Sequence, residues 1–367
     1  MKKRIISGII AIVFAMSLTA CNNKPNNEET VTNPTTQTET EPPEPVTGYP
    51  EPDISEFKYS YDAALSGVKI TGYTGSAEAI RIPAELDGEP VRQFFINNNK
   101  NITHIEIPYG ITEISKSAFY GCENLESIVI PDSVETICES AFNRCKSLKS
   151  ITIPDSVKVI DSYAFSKSGL EEITLPDNGV EVYNYVFSGC EKLESITIPD
   201  STKFVAHNDV GGIIDDCMIG TFQNCKKLPS ITLPDGIAYI IKAFDGCESL
   251  VDLTIPDGVR RIEDYAFSGC KSIESIKLPD SVELIFPYAF AGCESLTSIN
   301  IPDSVRHIYP NAFAGCTSLE SLILPDGIRG VGDGAFKGCE ALTVTYKGKE
   351  YSYTDLDDLY DRNMLLI

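Results

Sequence analysis

Cysteine is the residue type in this chain whose spacing most suggests chemistry. Cys122, Cys145, Cys190, Cys225, Cys247, Cys270, Cys293, Cys316 and Cys339 stand in equivalent places of a recurring phrase, and Ser168 fills the one vacant place. Thiols can pair, hold metal or act as nucleophiles. A metal site is disfavoured, because the spacing contains no CxxC pair and no interleaved His. If the phrases stack as strands about 4.7–4.9 Å apart, the distance permits disulfides. Direction opposes them, since equivalent side chains on stacked units point the same way. Nine is also odd, and Cys138 and Cys217 stand outside the series. The expectation is a column of buried, reduced thiols acting as small apolar groups, which in an exported protein points to a reducing habitat.

The other reactive types offer less. His104, His207 and His307 are the only histidines and lie about a hundred residues apart. No Ser or Cys has an evident His partner, and no glycine-rich loop could cradle phosphate. No enzyme and no cofactor are therefore expected. The Asp of a recurring "PD" forms a second series, Asp132, Asp155, Asp177, Asp200, Asp235, Asp257, Asp280, Asp303 and Asp326. Such a row could bind calcium. The simpler reading is that each Asp, with the following Ser, serves its own turn and faces water.

These series exist because the chain repeats. Ile/Leu-Pro occurs at 82, 107, 130, 153, 175, 198, 233, 255, 278, 301 and 324, almost always 22 or 23 residues apart. Regularity of that kind makes a solenoid, in which each unit buries its apolar face only against its neighbours. Within one unit, Ile128 and Ile130 are two apart and share one strand face. Pro131 ends the strand by removing a ladder donor. Val134 and Ile137 turn the chain inward, Ala141 and Phe142 pack, and Cys145 leads back to Leu148. A unit this short, with one strand, is a coil of a parallel sheet. Stacking makes columns, above all a phenylalanine spine from Phe119 through Phe142, Phe267 and Phe313 to Phe336.

The unit "LxxIxIPDSVxxIxxxAFxGCxS" resembles the BspA-like class of bacterial leucine-rich repeat, over about 80–345. The lead-in "GVKITGYTGSAEAIRIP" (67–83) resembles that family's first coil, and "VTYKGKEYSYTDLDDLYDRNMLLI" (344–367) its C-terminal cap. The resemblance implies a leucine-rich-repeat solenoid with a parallel sheet on the concave face and turns on the convex side. It also implies a cell-surface location and adhesion to host matrix proteins or to other cells. The expected organisation is a leader at 1–20, a lipidated Cys21 and linker at 21–52, about twelve coils at 53–345, and a cap at 346–367.

Composition agrees with export. The leader has a basic "MKKR", an apolar stretch too short for a settled span, and then Leu18-Thr19-Ala20-Cys21. That ending resembles the bacterial lipoprotein signal, which leaves Cys21 as a lipid-bearing N-terminus. Residues 22–52 are Asn, Thr, Glu and Pro with few apolar groups, a composition that cannot offset its ordering entropy. Such a tether spans at most about 100 Å. The 367 residues carry a formal charge of −23, which argues against nucleic acid and against docking on anionic lipid. The membrane contact expected is through the lipid alone, and the protein is expected to be a monomer.

Three surfaces are candidates for a partner. The outward sheet positions are small and hydroxylated, including Thr174, Ser195, Thr197, Ser230 and Thr232, and could bind glycan. The same residues suit a solvated strand face by β-propensity alone. The gap of 35 between Ile198 and Leu233 holds extra residues near 203–220, with His207, Asp209, Asp215, Asp216 and Cys217. Loops free of packing duty are natural contact points for an extracellular or host protein. Finally, "FPYAF" and "YPNAF" place Phe286 beside Tyr309 and, with the preceding coil, Tyr265 beside Tyr288. These four either form an aromatic patch or pack down over the core. The functional expectation is surface binding to protein. Glycan binding and a purely structural role are the alternatives.

Overall fold

A computed structural model describes residues 53–207 and 213–355. It is a parallel β-solenoid of about twelve turns with little helix. Most coils give a short strand before the Ile/Leu-Pro, such as Ser127–Val129, Ser275–Lys277 and Ser298–Asn300. These pair in parallel without register shift, so Ser275 faces Ser298 and Lys277 faces Asn300. Alternation then decides burial: Ile276 and Ile299 enter the core while their neighbours face out.

The "VxxI" segment does more than turn inward. It forms a second parallel ladder, with Thr136–Ile137, Val159–Ile160 and Glu181–Val182 paired in sequence. One strand per coil was thus an undercount. Val134 and Ile137 are fully buried, and two β-branched residues three apart leave a short extended stretch whose backbone groups need partners. The next coil supplies them.

The turn side carries a third set of intercoil bonds. Phe142 N–H donates to the Ala164 carbonyl at 2.7 Å, Phe267 N–H to Ala289 and Phe290 N–H to Ala312. The phenylalanine spine beneath is continuous, with successive ring centroids 5.2–5.8 Å apart. It begins one coil earlier than the repeat phrase indicates, at Phe94, whose ring lies 5.4 Å from Phe119. From Cys145 onward each column cysteine donates its S–H to the carbonyl of the spine residue in the coil before, for example Cys270 to Phe244 at 3.1 Å and Cys293 to Phe267 at 3.2 Å, while Cys122 donates to Ile96 at 3.0 Å. All eleven described cysteines are buried with free thiols.

The serine of "PDS" departs from expectation. Ser156, Ser281 and Ser304 donate to the carbonyls of Val134, Val259 and Val282 in the preceding coil, at 2.6–2.7 Å. They join coils rather than shape their own turn, because the turn carries the hydroxyl directly under an open carbonyl. The accompanying Asp residues are exposed.

The ends and the middle break the pattern. Phe57–Asp62 and Gly67–Tyr73 form an antiparallel pair at the start. Thr343–Tyr346 and Lys349–Ser352 form another at the far end. Near the middle, Lys203–His207 and Ile213–Asp215 form an antiparallel hairpin. Both parallel ladders are interrupted there among the described residues. The spine crosses the gap, with Phe187 and Phe222 5.7 Å apart. So do turn-side bonds such as Phe187 N–H to the Thr221 carbonyl at 3.0 Å.

Candidate functional site

The hydroxylated sheet face is assembled as the alternation requires. Thr174 lies opposite Thr197, and Ser195 opposite Glu172. Residues 150–152 form no strand, and the face opens there into a shallow groove of about 720 Å³. Thr152, Thr174, Ser195 and Thr197 line it with Asp155 and Asp177. Ser230 and Thr232 pair with the following coil beyond the ladder break and are not part of this groove.

The central hairpin brings His207 against Tyr183, with ring centroids 4.7 Å apart. The His207 carbonyl accepts from Asn184 Nδ2 at 3.1 Å. Asp215 is exposed opposite Val205. Asp216 is structural: its carbonyl receives the N–H groups of Ala238 and Tyr239 at 2.8 and 3.2 Å. Asp209 lies outside the described residues, as does Cys21. Cys217 is buried, and burial beside Glu263 pushes its thiol up to about 12. Among the described residues no three His, Cys, Asp or Glu side chains gather to hold a metal ion.

One carboxylate beside the hairpin is disfavoured from ionising. Burial raises Asp161 above the ordinary 3.8, against the opposing effects of the Ser162 backbone N–H and nearby His207. A raised pKa means the folded chain holds this proton more tightly than the unfolded chain does. Ionised Asp161 therefore opposes folding above its raised pKa, and the penalty fades as pH falls through it. Asp161→Asn should raise the melting temperature at pH 7 and converge with the parent near pH 4 or below. Melting curves across that range check this; a gap independent of pH would contradict it.

The four aromatics form two parallel stacks. Tyr265 and Tyr288 lie 4.9 Å apart with planes 5° from parallel, and Phe286 and Tyr309 lie 4.8 Å apart. Lys242 sits 5.6 Å from the Tyr265 ring, and Asn311 Nδ2 donates to Tyr288 Oη at 3.2 Å. Tyr265 and Tyr288 are 36% and 37% exposed, whereas Phe286 and Tyr309 are half-buried. The two tyrosines directly precede "AF" in the left-handed region, at φ 56° and 59°. A non-glycine residue there costs about 1–2 kcal/mol, comparable to what ring stacking returns.

The pattern behind these columns matches a known repeat model. The BspA type leucine rich repeat region, in six copies, matches residues 91–208 and 218–343. The chain belongs to the BspA-type leucine-rich-repeat family. The match is interrupted over 209–217, which includes the hairpin's second strand, Ile213–Asp215. A leucine-rich repeat protein from Bacteroides ovatus is 28% identical, with 80% of this chain and 88% of that one covered and a TM-score of 0.58. A leucine rich cell surface protein from Faecalibacterium prausnitzii is 26% identical over 82% and 95%, with a TM-score of 0.44. No curated protein matches the chain.

Within this BspA-type array, sequence reasoning missed a second pair of stacks. Tyr163 and Tyr185 stand 5.0 Å apart at φ 60° and 58°, in the same column as Tyr265 and Tyr288. Tyr183 takes the place filled elsewhere by Phe286, and its ring stacks on His207 of the hairpin. The signal was present: "SYAF" and "NYVF" place tyrosine where "DYAF" and "PYAF" do. The aromatic column is thus populated twice, on either side of the hairpin.

Proposed function

We propose that this repeat protein is a lipid-tethered surface protein that binds another protein through its turn side. The observation that supports this most is the pairing of exposed tyrosines in a strained backbone region. Large aromatic groups held rigid at low entropic cost are what contact hot spots use. The left-handed backbone itself belongs to the repeat, since Ser117, Ser140, Lys242 and Asn311 share it; what sets these coils apart is the large ring placed there. The stretch ending in Cys21 supports the tether, and its composition supports a spacer that lifts the coils from the membrane. The sheet face supports a glycan reading less well, since its small residues offer few anchors.

Tyr265→Asn with Tyr288→Asn is the test, because Asn adopts left-handed backbone without penalty. The double variant should melt within a few degrees of the parent. It should lose at least about tenfold in affinity, roughly 1.4 kcal/mol, for extracellular matrix proteins captured on a sensor chip. Unchanged affinity would remove this surface. Loss on changing Thr174 and Thr197 to Arg instead would move the site to the sheet face.

A further inference from the structure

One coil contracts at the turn after its phenylalanine, where the others do not, and the difference opens a groove. Between Ile153 and Leu175 the repeat is one residue short, because "CKSL" at 145–148 becomes "SGL" at 168–170. Gly169 draws the chain in against the coil before, with its N–H on the Cys145 carbonyl at 3.0 Å. A Cβ on Gly169 would collide with the Lys146 carbonyl. Contraction here leaves an open recess of about 940 Å³ on the turn side.

The recess is basic in a chain of net charge −23. Arg144, Lys146, Lys167 and Lys192 line it, against the single acid Glu191. Glu191 is held by Lys226 at 2.9 Å, and Lys146 by Glu123 at 3.1 Å. Arg144, Lys167 and Lys192 form no ion pair among the described residues. Arg144 meets only the face of Tyr120, at 5.7 Å from the ring centre. Three uncompensated cations thus converge where the rest of the molecule is acidic.

Two of these cations stand where the fold prefers no side chain. Arg144 and Lys167 have φ 66° and 57°. In seven other coils the same place is glycine, from Gly121 and Gly189 to Gly338, also at positive φ. The chain accepts backbone strain in two adjacent coils to put positive charge on this recess. Packing gives no reason for it, since both side chains are exposed.

The remaining lining specifies the ligand further. Tyr163 and Tyr185 present their stacked pair to the recess. Asn143 Oδ1, also in the lining, is buried without a partner. That oxygen calls for a donor from outside. The backbone offers no free strand edge: Arg144, Lys167 and Gly189 N–H groups are already spent on Ser166, Ser188 and Gln223 carbonyls. A peptide adding itself as a strand therefore finds no ladder to join. A ligand must bring its own hydroxyl donors, flat faces for the tyrosines, and negative charge for the cations.

We propose that this recess binds an acidic carbohydrate, a short oligosaccharide bearing carboxylate groups. The site is separate from the Tyr265–Tyr288 surface and does not depend on it. Its carboxylates would meet Arg144, Lys167 and Lys192, and a sugar hydroxyl would donate to Asn143 Oδ1.

The test is titration calorimetry on the full chain in mild detergent. The probes are a galacturonic acid trimer, the neutral galactose trimer and a glutamate peptide of equal charge. The uronate trimer should bind, and raising salt from about 50 to 500 mM should weaken it severalfold. Arg144→Gly with Lys167→Gly should cut affinity at least tenfold. Because these changes restore the residue used by other coils, the melting temperature should stay level or rise. Lys349→Gln, at the far cap, should change nothing. No uronate binding, or binding indifferent to the Arg144/Lys167 variant, overturns the proposal. Equal binding of the neutral trimer overturns the role of charge. Tighter binding of the glutamate peptide overturns carbohydrate in favour of an acidic protein segment.

Discussion

Phe267→Ala is expected to destabilise the protein by about 3–5 kcal/mol, the range for a buried aromatic truncated in a core that cannot close around the void. Phe267 has no solvent exposure, and its ring lies 5.3 Å from both Phe244 and Phe290. The surrounding backbone cannot collapse inward, because it is fixed to both neighbouring coils. Phe267 N–H donates to the Ala289 carbonyl of the following coil, and the adjacent Ala266 carbonyl receives the Phe244 N–H of the preceding one. Repeat arrays draw stability from contacts between neighbours, so a void in mid-array also weakens the coupling of its two halves. Urea unfolding should show a lower midpoint and a broadened or divided transition. Phe94→Ala, at the start of the spine, should loosen only the first coils. Equal behaviour of the two variants would contradict a spine that works by propagation.

The native thiols are expected to resist alkylation by orders of magnitude relative to the unfolded chain. The thiolate is the reactive form, and burial raises the thiols of Cys122, Cys145, Cys190, Cys225, Cys247 and Cys270. Cys190 is pushed up to about 11, and Cys247 up to about 12, both mainly by loss of water. At pH 8 the thiolate fraction at Cys247 is on the order of one in ten thousand, before lack of access is counted. From Cys145 onward each column S–H is also committed to a carbonyl of the preceding coil, which accepts a backbone N–H of its own turn as well. Iodoacetamide should therefore leave all eleven described cysteines unmodified in the native protein and label them in urea, read by intact mass. Rapid labelling of more than one or two without denaturant would show that the column is open. The fold thus uses these cysteines as donors, a role that their apolar character alone did not suggest.

What the sequence disclosed and what it hid follow one rule. Every column that must meet itself in the next coil was legible, because stacking forces one residue type into one place. Ile128, Val134, Phe142, Cys145 and Leu148 are all buried as their spacing requires. Bonds made by backbone were not legible. The second ladder at Thr136–Ile137 uses only main-chain groups, which any residue carries. Phe94 was missed because its coil reads "FFINNN" and lacks the phrase that marks the others. The candidate surfaces divided likewise. The Tyr265 and Phe286 stacks were foreseen from adjacent proline-marked units. The Tyr163 stack was passed over although "SYAF" and "NYVF" carry its signal, and the basic recess was hidden because the effect of one missing residue on the chain path appears only in three dimensions.

The break of both ladders at the hairpin has a mechanical consequence. All intercoil hydrogen bonds run along the solenoid axis, so tension between the ends opens them in series, like teeth of a zip, not together. Each coil released yields about 75 Å of extended chain for a rise of about 4.8 Å. A molecule so built gives way in steps and lengthens greatly under modest force. At Lys203–Asp215 neither ladder crosses, and the ring stack, the turn-side bonds, the Cys225 thiol on Phe187 and the exposed Lys226–Glu191 and Lys227–Glu194 pairs join the halves, so the first tooth to part is the one in the middle. Each half then keeps its own spine, its own pair of aromatic stacks and its own ladders while the chain between them pays out.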